Sequence, residues 1–187
     1  MANSSKIRID EDTGLMLKVA RGDYLSYEKL YRKYCLIVTD YIVSCNGDVN
    51  SRDDLVQQVF LHIWQNRKEF RGRSSTKTYI FGIAKNVLRE HHRQCQRQII
   101  ARSLLGPASD SVGSDTDAER HELADAIKLA KSKLSAKERQ ALELTLYGGI
   151  SLVEAARLAG CSYQAFRRRV YEAKKRLSAL LEHLHVC

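Results

Sequence analysis

Arg167, Arg168 and Arg169 follow one another on a segment that also carries Ser162, Tyr163, Gln164, Tyr171, Lys174 and Lys175. Guanidinium, phenol, amide and ammonium groups at helical spacing suit a polyanion. Arginine can pair with both acceptors on a guanine edge, a contact worth about 1–3 kcal/mol of base discrimination. Hydroxyls and lysines more often hold phosphates. Bases gather a second time over residues 71–102, where Arg71, Arg73, Lys77, Lys85, Arg89, Arg93, Arg97 and Arg102 face a single acid, Glu90. His91, His92 and Cys95 in that stretch raise the question of a metal. His91 and Cys95 are one helical turn apart, but a structural zinc takes four ligands and no second cluster lies nearby. They are read as polar groups on a basic helix. No metal ligand, cofactor or catalytic residue is assigned.

The basic side chains of the C-terminal stretch need a frame, and the neighbouring residues supply one. A small residue at Ala156, a glycine tolerant of left-handed backbone at Gly160 and an apolar anchor at Phe166 have the spacing of a helix-turn-helix. The helix from Tyr163 to about Leu184 gives one side to Phe166, Val170, Ala173 and Leu177. Arg167, Arg168, Tyr171, Lys174 and Lys175 are left outward, the arrangement of a recognition helix. Upstream, Leu123, Ile127, Ala130 and Leu134 form a stripe. Ser135-Ala136-Lys137-Glu138 reads as a capping box, Gly148-Gly149 ends that helix, Ser151 to Glu154 opens the next, and Ser162 caps the last.

The first half is helical by periodicity. After Asp23, apolar residues recur at Tyr27, Leu30, Tyr31, Tyr34, Ile37, Val38, Tyr41, Ile42 and Cys45, until Asn46-Gly47-Asp48 ends the run. A second helix starts at Ser51, whose hydroxyl can cap it with Asp54 at the third position. Its stripe is Leu55, Val56, Val59, Phe60, Ile63 and Trp64, and its other face shows Asp53, Gln57, Gln58, Leu61 and Gln65. A third follows Ser74-Ser75, with Ile80, Ile83, Ala84, Val87 and Leu88 inward and Lys85, Asn86, Arg89 and Arg93 outward. Sustained strand-like alternation is missing throughout, so the fold class is all-α.

The 187 residues carry 31 Lys plus Arg against 22 Asp plus Glu, and the surplus is uneven. Residues 1–70 balance, 71–102 are strongly basic, 103–119 hold only acids, and 120–187 return to thirteen bases against seven acids. Two basic patches of this kind are the electrostatic footprint of nucleic-acid binding, because neutralised phosphates release counterions. The acidic stretch, with Gly106-Pro107, several serines and the one proline, reads as a flexible linker. Two small helical domains follow, over 10–102 and 120–187, joined by 103–119. The polar start and the absence of an apolar run of roughly twenty residues imply no signal peptide, no membrane insertion and a cytoplasmic site. Five cysteines without CxxC spacing fit reduced thiols.

Asp53 through Trp64 (DDLVQQVFLHIW) resembles region 2.2 of the extracytoplasmic-function, or group 4, sigma factors, the smallest members of the bacterial sigma-70 family. Thr78 through Asn86 (TYIFGIAKN) is similar to their regions 2.3 and 2.4. The tail from Leu134-Ser135 through Gly149-Ile150-Ser151, Glu154-Ala155-Ala156 and Gly160-Cys161-Ser162 to Ala173-Lys174-Lys175-Arg176-Leu177 is similar to region 4. The three matches occur in the family's order.

The resemblance implies an alternative sigma factor that brings core RNA polymerase to promoters and has no chemistry of its own. Asp53, Asp54, Gln57, Gln58 and Leu61 would dock on the clamp helices of the beta prime subunit, and region 4 on the beta flap. The loop Arg71 to Lys77, including Ser74, Ser75 and Thr76, would receive a base flipped from the minus-10 element, with Thr78, Tyr79, Asn86 and Arg89 beside it. Tyr79 stands where the family usually has Trp. Arg167, Arg168 and Tyr171 would read the minus-35 element, and Ser162, Tyr163, Gln164, Arg169 and Lys174 would hold phosphates. Arg168 replaces a usual small residue and Glu172 a usual base. An anti-sigma factor is a further expected partner. The alternative is a stand-alone helix-turn-helix regulator whose first domain senses or dimerises; a recombinase with such a C-terminal motif would need a strand-rich catalytic domain.

Overall fold

The computed structural model describes residues 11–46, 50–103, 127, 129–146 and 149–184. Among them are seven α-helices with both ends described, a further helical stretch at 127 and 129–132, one 3-10 turn, and no strand. The first helix, α1 (Glu11–Ala20), has no counterpart in the sequence pattern; it starts on two acids that suit a helix N-terminus and fully buries Met16 and Val19. Only three inward positions mark it, too few to stand out as a periodic stripe.

Asp23 then caps α2 (Tyr24–Asn46), accepting from the backbone amides of Leu25 and Ser26 and from the Ser26 hydroxyl at 2.7 Å. The inward face of α2 is Leu30, Tyr34, Val38, Tyr41 and Ile42, and the helix ends at Asn46 as expected; Gly47 and Asp48 lie outside the described residues. Helix α3 (Arg52–Gln65) buries Leu55, Val56, Val59, Phe60 and Ile63. Ser51 is its N-cap residue, but in α-helical backbone, and the hydroxyl makes no capping bond. The cap expected there is therefore positional only. Trp64 is half-buried, with Tyr24 and Tyr27 against its edge and the Arg67 guanidinium 4.4 Å over its ring.

A 3-10 turn (Arg67–Glu69) and the buried Phe70 lead to α4 (Thr76–Ser103), whose inward residues Ile80, Phe81, Ala84, Val87 and Leu88 complete the first bundle. Its last described turns leave the bundle, with Ile99 and Ile100 more than half exposed. Positions 104–119 of the expected linker, and Leu123 of the expected stripe, lie outside the described residues.

The second bundle is built from α5 (Ala136–Leu146), α6 (Leu152–Ala159) and α7 (Tyr163–Leu184). Its capping chemistry follows the sequence pattern. Ser135 donates from its backbone and its hydroxyl to Glu138 while the Glu138 amide donates back to Ser135 Oγ. Ser151 and Glu154 repeat the box on α6. Ala130, Leu134, Leu142 and Ala173 fill one part of the interior; Ala155, Ala156, Phe166 and Val170 fill the other. Ile127 is 37% exposed and does not join the stripe. The buried side chains of this second part run without a break into those of the first bundle, because α5 packs on α2 and α6 on α4.

Candidate nucleic-acid interface

Gly160 takes a left-handed backbone (φ 68°, ψ 38°), which only glycine adopts without cost, and its amide and that of Cys161 donate to carbonyls in the last turn of α6. That closure turns the chain into α7, where the Ser162 hydroxyl accepts from the Ala165 amide at 3.3 Å. Phe166, wholly buried among α6 and its neighbours, fixes the roll of α7 about its axis. With Phe166, Val170 and Ala173 inward, Tyr163, Gln164, Arg167, Arg168, Tyr171, Lys174 and Lys175 are all exposed, within about 140° of arc at the α-helical 100° per residue. Tyr171, 65% exposed, stands near the middle of that arc. Arg169 is set off from it, half-buried on the flank of the helix. The face brings together six of the eight minus-35 candidates; Ser162 is exposed at the N-terminus of the helix, where it caps, and Arg169 lies about 100° beyond the end of the arc.

The minus-10 candidates occupy the loop into α4 and that helix's first turns. Ser75 Oγ accepts from the Thr78 amide at 3.2 Å and lies 2.8 Å from Thr78 Oγ1. Arg71, Asn86 and Arg89 are exposed; Ser74, Ser75 and Lys77 are partly so. Thr76 is wholly buried, with a hydroxyl that finds no partner, and Thr78 is 8% exposed. Tyr79 packs its ring against Phe70 and donates its hydroxyl to the Asn66 carbonyl at 3.1 Å. Burial pushes its phenol above the ordinary range, with Glu69 adding to the effect. The side chain is tied to the bundle at both ends of its ring.

The α3 face is open. Asp53, Asp54, Gln57, Gln58 and Leu61 are all exposed, and Leu61 shows 52% of its surface. Asp53 pairs with Arg52 at 2.8 Å, which lowers its carboxyl. Gln58 sits on the flank nearest α4, where it shares a shallow groove with His62, Asn86 and Glu90. His62 and Gln65 are exposed neighbours on the same helix. Cys95 Sγ lies 3.7 Å from the His91 ring, and among the described residues no group of three His, Cys, Asp or Glu is placed to hold a metal ion.

Periodicity places Lys85 outward toward solvent. It instead faces the second bundle, donating to the Leu158 carbonyl at the end of α6. Burial, and Arg89 beside it, lower its ammonium from the ordinary lysine range. A second cross-bundle contact is equally invisible in the sequence: the Cys45 thiol donates to Glu143 Oε2 at 2.9 Å, and Lys131 pairs with Glu143 Oε1 at 3.6 Å while donating to the Ser44 carbonyl. Both links span more than seventy residues of sequence, and no local pattern signals them.

A helix-turn-helix with an exposed basic face, joined to a second helical bundle with its own basic stretch, defines a DNA-binding regulatory protein. The models of Sigma-70 region 2 and Sigma-70 region 4 match residues 28–98 and 124–177, about two thirds of the chain together. The chain belongs to the sigma-70 family, in its extracytoplasmic-function branch. It is 29% identical over 141 residues to the sigma factor EcfG of Rhodopseudomonas palustris, covering 75% of this chain and 77% of that one. It is 29% identical over 171 residues to SigC of Mycobacterium tuberculosis, 89% of each chain. The solved structure of CnrH in complex with the cytosolic domain of CnrY superposes with a TM-score of 0.73 at 25% identity, over 93% of this chain and 99% of that one. Among the described residues no helix is long and apolar enough to cross a membrane.

Proposed function

We propose that this protein is an alternative sigma factor: it binds core RNA polymerase, directs it to promoters by reading minus-10 and minus-35 elements, and carries no catalysis of its own. The observation that carries the reading is the pairing of two family-matched bundles in the family's order with an exposed basic face on the recognition helix. Residues 10–102 would supply docking and minus-10 recognition, 103–119 an acidic tether, and 120–187 minus-35 recognition.

The exposed α3 residues Asp53, Asp54, Gln57, Gln58 and Leu61 would meet the clamp helices of polymerase. An exposed leucine flanked by amides and acids suits a protein surface better than a phosphate backbone. On α7, Arg167, Arg168 and Tyr171 would reach base edges in the major groove. Arg71, Ser74, Ser75, Thr76, Lys77, Thr78, Tyr79, Asn86 and Arg89 would serve the minus-10 strand in two ways. Arg71, Asn86 and Arg89 would touch DNA, while the buried Thr76, Thr78 and ring of Tyr79 would shape the loop that takes a flipped base. Arg169, on the flank, would meet phosphate at most. Work in the cytoplasm, where core polymerase is found, follows from this role, and an anti-sigma factor is a further partner.

The test is run-off transcription with purified bacterial core polymerase, this protein and a pool of promoter fragments from its own genome. Transcripts that depend on the protein establish the role and reveal the promoter. Silence from an active core enzyme that also fails to bind the protein overturns it in favour of a stand-alone regulator.

A further inference from the structure

Between α4 and α5 lies a cleft of about 580 Å³ whose lining is one-sided in charge. Lys85, Arg89 and His92 reach it from α4 and Lys137 and Arg139 from α5, against a single acid, Glu143. That acid is already engaged, accepting from the Cys45 thiol and pairing with Lys131. Arg89, His92 and Lys137 are exposed, and among the described residues none of the three pairs with a carboxylate. Arg139 directs its Nε and one amino group to the carbonyls of Lys131, Ser132 and Leu134. Those bonds fix the guanidinium at the cleft and leave its charge unmatched. The bases also repel one another: Arg89 adds to burial in lowering the Lys85 ammonium, and Arg139 adds to burial and to His91 in lowering His92. Like charges drawn together cost free energy, and an anion set between them removes that cost.

We propose that this cleft binds a compact, multiply charged phosphate anion, a condensed phosphate chain that is either free or carried on a nucleotide. Four bases arriving from two helices, with His92 beside them, call for several negative charges close together, which a single carboxylate lacks. Guanidinium forks match the oxygen spacing of a phosphate, and lysines add point charge. A cleft lined by one sign of charge also concentrates counter-ions of the other. Its volume falls within the roughly 300–1,000 Å³ of small-molecule sites. Lys137 and Arg139 belong to neither set of residues assigned to DNA, so promoter recognition does not account for their presence here. Because the bases come from both bundles, the bound anion joins α4 to α5.

Isothermal titration of the full chain with sodium tripolyphosphate, in metal-free buffer at constant ionic strength, tests the site. The expected result is one equivalent bound, with affinity lowered roughly tenfold or more by Lys137→Glu and likewise by His92→Glu, the scale of one lost charged contact. Both positions are exposed, so circular dichroism and the melting temperature of the free protein should stay nearly unchanged, and either variant carries the test if the other fails to fold. Arg167→Ala with Arg168→Ala, on the other basic face, should leave the binding as it is. No saturable binding in the millimolar range overturns the proposal. So does binding that follows the α7 arginines instead, or that neither cleft variant weakens. GTP in the same titration separates the two sources: tighter binding than tripolyphosphate gives the nucleoside a place in the cleft, and equal or weaker binding leaves the phosphate chain as the ligand. No polymerase enters these titrations, so their failure and the failure of the sigma-factor reading are read independently.

Discussion

The thiol of Cys45 on α2 donates to the carboxylate of Glu143 on α5 at 2.9 Å, linking two helices through residues ninety-eight positions apart. Burial is the strongest influence on both groups. It raises the Glu143 carboxyl above its ordinary value, against lowering pulls from Cys45, Lys131 and Arg139, and pushes the thiol far up, with the Glu143 charge adding to the effect. The thiol therefore stays protonated and remains a donor.

A carboxyl whose pKa is higher folded than unfolded contributes stability that is complete below its unfolded value and is lost as pH rises through the folded one. For Glu143 that loss begins near its ordinary value of 4.5 and finishes above the raised one. Glu143→Gln, which cannot ionise, should gain melting temperature relative to wild type as pH climbs from 4.5 to neutrality. Paired thermal melts across that range check this; a difference independent of pH would refute the raised carboxyl.

Arg167 and Arg168 share the exposed arc of α7, where both side chains stand open to a ligand. Replacing both with Ala should weaken minus-35-dependent initiation by about 1–3 kcal/mol for each base that is no longer read while leaving core polymerase binding intact. Run-off transcription and polymerase co-purification read the two effects separately. Equal loss in both assays would move these arginines out of base recognition.

The α3 face makes the reverse prediction. Gln57 and Leu61 are exposed and support no buried neighbour, so Gln57→Lys with Leu61→Lys should abolish polymerase binding and leave the melting temperature almost unchanged. Unchanged polymerase affinity would show that another surface docks.

Tyr79 is fixed by its ring contact to Phe70 and its hydrogen bond to the Asn66 carbonyl. Tyr79→Phe keeps the ring and loses the bond, and should cost roughly 0.5–1.5 kcal/mol of folding stability with no change in promoter choice. Chemical denaturation measures the first and transcript profiling the second. An altered promoter set would instead put the hydroxyl on DNA.

Several features are legible in the residues alone because they rest on local rules. A left-handed turn demands Gly160, and a capping box demands a serine three residues before a glutamate, as at Ser135 and Ser151. An inward Phe166, Val170 and Ala173 leaves Arg167, Arg168 and Tyr171 outward by the 3.6-residue turn, whatever the rest of the chain does. The long stripe of α2 and the open face of α3 are readable for the same reason. Helix α1 is not, since a ten-residue helix with three inward side chains gives too weak a period.

What the tertiary structure alone decided is how the helices meet. Lys85 has the sequence environment of a solvent-facing base, and only the approach of α6 turns it onto the Leu158 carbonyl. Thr76 reads as a loop residue and Thr78 as its neighbour beside the loop, both toward DNA, and only the packing around α4 buries them. Cys45 and Glu143 belong to separate amphipathic patterns that carry no information about each other. Helical periodicity fixes which side of a helix is buried, because it depends on neighbours three and four residues away. Which other helix covers that side depends on contacts between distant segments, and those are set by shape and charge complementarity that no short stretch of sequence contains.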